Sequence, residues 1–215
     1  ENILFKLSIT NFGHLGIFPE QSSSWRWIGN MIKAAQAHRK ERISVLNLFA
    51  YSGGSTMAAA KAGAAVCHLD ASKGMVLRAR ENARINGLES APVRWIVEDV
   101  TKFLDRESRR NNRYDAIILD PPSFGRGKSG EVYKIEKDVL ATLAKCVRLL
   151  SHTPLFLLLS CHTPAFTPVV LNNLIQQAFG KRECIIESGE MLLTGRNDIP
   201  PLPSGTFASW RSTGN

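Results

Sequence analysis

The sequence predicts a doubly wound α/β domain, in which helices cover both faces of a mostly parallel β-sheet. Three observations favour this class. Short apolar runs alternate with helix-like segments along most of the 215 residues. The runs are continuously apolar, as in strands buried on both faces, and do not alternate with polar residues. Glycines or acidic residues follow several runs, at the strand ends where such sheets bind ligands.

Seven apolar runs are interpreted as strands, and helices are expected between them. The strands cover residues 43–49, 65–69, 93–97, 115–119, 155–160, 183–187 and 206–211. The helices cover residues 55–62, 72–86, 102–113, 139–150 and 168–179. The last two strands suit an antiparallel hairpin at one edge of the sheet.

The opening of the chain is expected to be a small appendage. Residues 4–9 and 14–18 suggest a short amino-terminal hairpin that turns at residues 11–13. We therefore divide the chain into an amino-terminal segment, residues 1–21, and a main domain, residues 22–215. A chain of this length corresponds to about one domain.

Composition and charge exclude several classes of protein. The longest apolar stretch, residues 155–159, is far shorter than the roughly 18 residues of a membrane span, and no signal peptide is visible. The four cysteines form no Cys-x-x-Cys pair, so neither structural zinc nor a disulfide framework is expected. The cysteine usage instead favours a reducing, cytoplasmic location. The net charge of +8 favours a polyanionic partner such as RNA.

The ends of the first three strands predict a nucleoside site. Residues 46–54, LNLFAYSGG, lack the glycine spacing of dinucleotide folds and the lysine of a P-loop, so a pyrophosphate cradle is not expected. Asp70 is placed to accept hydrogen bonds from both hydroxyls of a ribose, and Asp99 is placed to accept one from the exocyclic amine of adenine. Each aspartate also suits a helix cap that needs no ligand. Together, the three strand ends describe a nucleoside without phosphates, such as S-adenosylmethionine (SAM).

Longer motifs resemble those of class I SAM-dependent methyltransferases, and among these the bacterial large-subunit ribosomal RNA methyltransferases that make 5-methylcytosine or 7-methylguanine. The matching stretches are GIFPEQ at 16–21, VLNLFAYSGGSTMAAAKAGA at 45–64, LDAS at 69–72 and LDPPSFGRG at 119–127. The resemblance runs from about residue 15 to residue 211. It implies the Rossmann-like seven-stranded methyltransferase sheet, SAM as cofactor and S-adenosylhomocysteine (SAH) as product.

The resemblance also implies roles for individual residues. Asp70 would hold the ribose and Asp99 the adenine, and Gln21 would cover the cofactor from the amino-terminal segment. The full set of implied cofactor contacts is Gln21, Phe49, Tyr51, Ser52, Gly53, Asp70, Ser72, Asp99 and Asp120. Family members often carry an additional amino-terminal RNA-binding domain, to which no part of this sequence corresponds, so a trimmed or naturally minimal protein is expected.

The DPPSF stretch after the fourth strand indicates a turn that contacts a nucleobase. Its two prolines stiffen the turn and remove backbone donors, which leaves Asp120 and free carbonyls for a proton-donating base edge. Enzymes that methylate exocyclic amines have an aromatic residue directly after the second proline, where this chain has Ser123. The candidate substrate contacts are Pro121, Pro122, Phe124, which would stack on a flipped base, and Arg126 and Lys128, in a mobile basic loop along the RNA backbone.

Cys161, at the end of the fifth strand, is the candidate nucleophile. Carbon 5 of cytosine attacks a methyl sulfonium only after a thiolate has added to carbon 6, and RNA cytosine methyltransferases carry such a cysteine at this strand end. The favoured product is therefore 5-methylcytosine in ribosomal RNA, with Asp120 bonded to the base edge. The alternative role of Cys161 is a small buried hydrophobe. His162 is not expected to activate the thiol, because neighbours on a strand face opposite ways.

Two other functions remain open. The same fold would also serve methylation of a ring nitrogen or exocyclic amine without covalent catalysis, in which case a Cys161→Ala variant keeps its activity and an Asp120→Ala variant loses it. A third possibility is a methyltransferase-like domain that binds RNA without catalysis. No metal site is expected in any of the three.

Overall fold

The predicted fold class is confirmed by a computed structural model that describes residues 2–7, 15–127, 130–180, 184–196 and 198–213. A mixed seven-stranded sheet forms the centre of the described chain. Its strands are β1 (Ser44–Leu48), β2 (Ala65–Asp70), β3 (Val93–Val97), β4 (Ala116–Leu119), β7 (Phe156–Cys161), β8 (Cys184–Leu193) and β9 (Leu202–Ser212). A separate two-stranded hairpin consists of β5 (Phe124–Arg126) and β6 (Val132–Lys134).

The strand order is β3-β2-β1-β4-β7-β9-β8. The strands from β3 to β7 are parallel, and β9 pairs antiparallel with both β7 and β8, as the sequence predicted for this edge. The chain leaves β1 toward β2 and returns to its other side as β4. Such a reversal of strand order opens a crevice at the carboxyl ends of the central strands.

Six helices cover the two faces of the sheet in the described residues. They are α1 (Ser22–Gln36), α2 (Gly54–Lys61), α3 (Lys73–Ile85), α4 (Val100–Arg109), α5 (Ile135–Leu149) and α6 (Pro168–Phe179). The sequence reasoning missed α1. The sequence feature that indicates this helix is the spacing of Trp25, Ile28 and Ile32, which lie on one helical face and are buried against the sheet.

Two apolar clusters form the core, one on each face of the sheet. Strand β7 contributes to both because its side chains alternate. Phe156 and Leu158 belong to the cluster beside α1 and α2, whereas Leu157, Leu159 and Cys161 belong to the cluster beside α4, α5 and α6. This alternation decides where each residue at the end of β7 points.

The predicted amino-terminal hairpin is not found in residues 2–7 and 15–18, which contain no strand. Residues 8–14, with the predicted turn, lie outside the described residues. The backbone of Leu4 and Lys6 instead donates to the side chains of Asn86 and Asn82, at 2.9 Å in each case. These asparagine side chains satisfy the backbone groups that a second strand would have paired. None of the helices described here is long and apolar enough to cross a membrane.

Candidate active site

A cavity of about 720 Å³ lies at the carboxyl ends of the central strands. The turns after β1, β2, β3 and β4 form most of its wall, and the hairpin β5–β6 and the end of β7 form the rest. A much smaller cavity adjoins it beneath the β1–α2 turn and shares Phe49, Tyr51 and Asp120 with it. The two adjoining cavities therefore lie at the strand ends where the sequence predicts the site.

The turn between β1 and α2 has an unusual backbone. Phe49 and Tyr51 have φ angles of 53° and 49°, and Gly53 has a φ of 91°. Left-handed φ angles are uncommon for aromatic residues and are strained. Hydrogen bonds hold the turn: the Ala50 amide donates to the Leu69 carbonyl at 3.0 Å, and the Tyr51 amide donates to Asp70. The strained turn projects its two aromatic side chains into the cavity wall.

Asp70 accepts one backbone hydrogen bond on each carboxylate oxygen. Oδ2 accepts the amide of Tyr51 at 2.9 Å, and Oδ1 accepts the amide of Ser72 at 2.8 Å. Burial raises the pKa of Asp70, and these two amides oppose part of that effect. Because a carboxylate has about four acceptor positions, each oxygen keeps one for a ligand.

Asp99 and Ser72 cap the helices that follow them and also line the cavity. The Asp99 carboxylate accepts the amide of Lys102 at 3.0 Å at the start of α4, and the Ser72 hydroxyl accepts the amide of Met75 at 3.4 Å at the start of α3. The capping role that the sequence suggested as an alternative is thus present. It does not exclude a ligand contact, because both side chains border the open space.

The Asp120 carboxylate is held by residues from distant parts of the chain. Oδ2 accepts the side-chain amide of Gln21 at 2.7 Å, and Oδ1 accepts the hydroxyl of Ser160 at 2.8 Å. The Nδ1 atom of His162 lies 3.6 Å from Oδ1. After the next two prolines, the Ser123 and Thr163 hydroxyls share a hydrogen bond of 2.7 Å that joins the turn to the end of β7.

The predicted mobile loop is in part a β-hairpin. Strands β5 and β6 pair antiparallel, and the Gly127 amide donates to the Glu131 carbonyl at 2.8 Å. Phe124 is 49% exposed and is not among the residues that line the cavity. Arg126 lines it, and its guanidinium lies 5.6 Å from the centre of the Phe124 ring. Lys128 lies outside the described residues. Backbone pairing therefore places Phe124 and Arg126 on a fixed element beside the opening.

Cys161 is buried in the core cluster beside α5 and α6. Its side chain accepts the amide of Thr163 at 3.4 Å, and its residue is 1% exposed. Burial raises the pKa of the Cys161 thiol. His162 and Thr163 line the cavity, whereas Cys161, the last residue of β7, packs in the core.

A comparison with known protein families identifies the family of this chain. The model of the S-adenosylmethionine-dependent methyltransferase family matches residues 1–182. The chain belongs to this family. Its cofactor is accordingly SAM.

Curated relatives of this methyltransferase modify ribosomal RNA according to their names. The chain is 32% identical over 151 residues to the ribosomal RNA large subunit methyltransferase K/L of Shewanella baltica, an alignment that covers 69% of this chain and 20% of the relative. It is 37% identical over 98 residues to the ribosomal RNA large subunit methyltransferase I of Aeromonas hydrophila, covering 45% of this chain and 25% of the relative. The chain spans about a fifth to a quarter of the length of these relatives.

Solved structures agree with the fold of the methyltransferase. A SAM-dependent methyltransferase from Agrobacterium tumefaciens matches 96% of this chain and 66% of its own with a TM-score of 0.90 and 37% identity. A second methyltransferase, solved in complex with SAH, matches 93% of this chain and 51% of its own with a TM-score of 0.72 and 25% identity.

The donors and acceptors of the methyltransferase site fit SAM. The two remaining acceptor positions of Asp70 match the two hydroxyls of a ribose, and Asp99 borders the same cavity one strand further. Gly53 has a φ of 91°, a backbone conformation that residues with a Cβ rarely adopt, so a substitution there would strain the turn. Among the described residues, no three His, Cys, Asp or Glu side chains form a group that would hold a metal ion.

The structure brings most of the predicted residues together and adds others. Those that line the large cavity are Phe49, Tyr51, Asp70, Ser72, Asp99, Asp120, Pro121, Pro122 and Arg126. Gln21, Ser52 and Gly53 line the small one. The wall also contains residues that the sequence did not assign to the site: Phe18, Ala71, Lys73, Val100, Ser123, Gly125, Gly127, Tyr133, His162 and Thr163. Several of these lie within the motifs quoted from the sequence: Phe18 in GIFPEQ, Ala71 in LDAS, and Ser123, Gly125 and Gly127 in LDPPSFGRG. His162 directly follows the predicted nucleophile Cys161.

Proposed function

We propose that this methyltransferase transfers the methyl group of SAM to a nucleobase of ribosomal RNA in the cytoplasm. The observation that carries the proposal is that Asp120, Pro121 and Pro122 line the same cavity as Asp70 and Asp99 and are followed in the chain by the exposed Phe124. A base that enters from the Phe124 side meets a carboxylate that accepts hydrogen bonds. The names of the relatives support ribosomal RNA as the substrate.

The cofactor roles follow from this arrangement. Asp70 holds the ribose, Asp99 and Ser72 lie at the adenosine end, and Phe49, Tyr51, Ser52 and Gly53 line the methionine end. Gln21 covers the cofactor from the amino-terminal segment, residues 1–21, which adjoins the main domain, residues 22–215. Bound SAM supplies an electrophilic methyl group, and the protein contributes the placement of the base beside it.

The RNA is held from the hairpin side of the cavity. Phe124 offers an exposed ring for base stacking, and Arg126 adds a positive charge over that ring. Pro121 and Pro122 form the rigid wall against which the base lies, and Lys128, outside the described residues, stays a predicted RNA contact from the sequence. The net charge of +8 favours the same partner.

The target atom that the geometry supports best is a ring nitrogen or an exocyclic amine, methylated without a covalent intermediate. The supporting observation is the burial of Cys161, since a nucleophile must reach carbon 6 of the base. The second candidate is 5-methylcytosine with Cys161 as nucleophile. Its support is that Cys161 lies directly before two cavity residues, His162 and Thr163, and beneath the base-binding turn.

The test is mass spectrometry of nucleosides from ribosomal RNA of cells with and without the gene. We expect one methylated nucleoside to disappear without the gene and to return when wild-type protein is supplied. Supply of an Asp120→Ala variant serves as the control and should not restore it. An unchanged profile of every methylated nucleoside contradicts the proposal. The identity of a lost nucleoside distinguishes the two candidate target atoms.

A further inference from the structure

A row of three side chains, Glu20, His162 and Asp120, crosses the cavity wall. The Nε2 atom of His162 lies 3.0 Å from Oε1 of Glu20, and its Nδ1 atom lies 3.6 Å from Oδ1 of Asp120. The three residues come from the 3-10 turn Pro19–Gln21, the end of β4 and the end of β7. Neither the cofactor contacts nor the base-binding turn explains why a histidine lies between two carboxylates.

Glu20 decides which nitrogen of the imidazole carries a proton. Its residue is 4% exposed, and its Oε1 atom also accepts the hydroxyl of Ser204 at 3.3 Å. A buried carboxylate is costly unless donors surround it, so His162 donates from Nε2. In the neutral imidazole, Nδ1 then carries the lone pair. This atom faces Asp120 at the cavity, beside the place where the base enters.

We infer that His162 accepts the proton that the target base loses on methylation, and that Glu20 orients its ring for this step. The inference rests on the proposed function. A lone pair of the target atom forms the bond to the methyl carbon, and the electron pair of the methyl–sulfur bond remains on sulfur. The proton released from the target atom forms a bond to Nδ1 of His162 and later passes to water. This balance holds for an exocyclic amine and for a ring nitrogen that carries hydrogen.

The surroundings of His162 stabilise its protonated form. Burial disfavours the charged ring, but Asp120 and Glu20 outweigh burial and raise the pKa of His162. Two uncharged groups also lie beside the imidazole: the ring of Phe18 is 4.9 Å from it, and Gly205 is so close that an added Cβ would lie 3.0 Å from it. The imidazolium formed in the reaction is therefore paired with a carboxylate on each side.

Asp120 is a poorer candidate for the same step. Both of its oxygens already accept hydrogen bonds, from Gln21 and from Ser160. A proton on either oxygen would remove the negative charge that strengthens these two hydrogen bonds. His162 loses no hydrogen bond when Nδ1 is protonated, and it gains an attraction to Asp120.

The experiment compares wild type with His162→Gln, Glu20→Gln and the control His152→Gln, whose side chain is on an exposed loop. Methyl transfer from tritiated SAM to large-subunit ribosomal RNA, prepared from cells that lack the gene, is measured in single turnovers from pH 6 to 9. Calorimetry with SAH measures cofactor affinity separately. In the wild type, the rate should fall on the acid side as His162 becomes protonated.

We expect His162→Gln to be about 100-fold slower, to lose this acid limb and to bind SAH within about threefold of wild type. Glu20→Gln should move the acid limb to lower pH, because loss of one carboxylate lowers the pKa of His162; a purely structural role would leave the limb in place. His152→Gln should match the wild type. A His162→Gln rate near that of wild type, with the same limb, overturns the inference alone. If wild type binds SAH but methylates no site in this RNA, the proposed function is overturned, and the inference with it.

Discussion

The side-chain amide of Gln21 donates a hydrogen bond of 2.7 Å to the carboxylate of Asp120, which is 99 positions away in the sequence. This bond joins the amino-terminal segment to the end of β4. Gln21 is buried in the same region, and the 3-10 turn that carries it packs beside the end of β8. The segment that covers the small cavity is thus held by a carboxylate that also lines the large cavity.

Replacement of Gln21 by alanine should lower the free energy of unfolding by about 1–3 kcal/mol, because a hydrogen bond to a charged, partly buried acceptor is lost. Urea unfolding at neutral pH measures the change. Gln176→Ala is the matched control, since the Gln176 amide bonds Asn172 on an exposed helix surface. That variant should stay within about 0.5 kcal/mol of wild type. Equal effects of the two substitutions would contradict the structural role of Gln21.

Replacement of Asp70 by asparagine should weaken SAH binding by about 10- to 100-fold. The amide has one acceptor oxygen in place of two, and its NH₂ group would face one of the amides of Tyr51 and Ser72. Calorimetry with SAH gives the affinity. Asp105→Asn, which changes a surface pair with Lys145, should bind SAH as wild type does. Unchanged affinity in Asp70→Asn would remove Asp70 from the cofactor site.

Replacement of Cys161 by alanine should leave the rate of methyl transfer within about threefold of wild type if the non-covalent route holds. A nucleophile contributes far more than this, so the covalent route predicts that activity is abolished. The readout is tritium transfer from SAM to the RNA, with SAH affinity measured in parallel. Cys146→Ala, another fully buried thiol in the same cluster, controls for the loss of packing. Activity lost in Cys161→Ala but kept in Cys146→Ala would restore 5-methylcytosine as the product.

The stability that His162 contributes should depend on pH. Its folded-state pKa is raised above 6.5, with Asp120 and Glu20 outweighing burial. The contribution is therefore fully present below pH 6.5 and disappears as the pH rises through the folded-state pKa. The difference in unfolding free energy between wild type and His162→Gln should be larger at pH 6 than at pH 9. Urea unfolding at both pH values tests this. A larger difference in unfolding free energy at pH 9 than at pH 6 would contradict the prediction.

Replacement of Arg126 by alanine should weaken RNA binding and leave SAH binding unchanged. A lost phosphate contact reduces the slope of log affinity against log salt by about 1, and a lost stacking partner for Phe124 adds to the effect. Titration of labelled ribosomal RNA at several salt concentrations measures both quantities. Arg113→Ala, on an exposed turn after α4, has the same change of charge away from the cavity and serves as control. Similar losses in both variants would indicate a general charge effect.

The continuous apolar runs and their helical intervals were enough to predict seven strands, their parallel core and the antiparallel edge. Such patterns reflect burial on two faces, which is a local property of each segment. Helix α1 was not predicted, because three serines precede its apolar positions. The prediction of an amino-terminal hairpin was wrong for the described residues. The side chains of Asn82 and Asn86, which are distant in sequence, accept hydrogen bonds from the backbone amides of Lys6 and Leu4.

For the site, the sequence was enough to predict which strand ends border the cavity: Asp70, Asp99 and Asp120 each follow an apolar run, and all three line it. How the residues at the end of β7 are oriented depended on the packing around that strand. Cys161 faces α5 and α6, whereas His162 faces the cavity and lies between Glu20 and Asp120. The alternation along a strand is visible in the sequence, but which side faces the cavity depends on how helices and neighbouring strands pack around it.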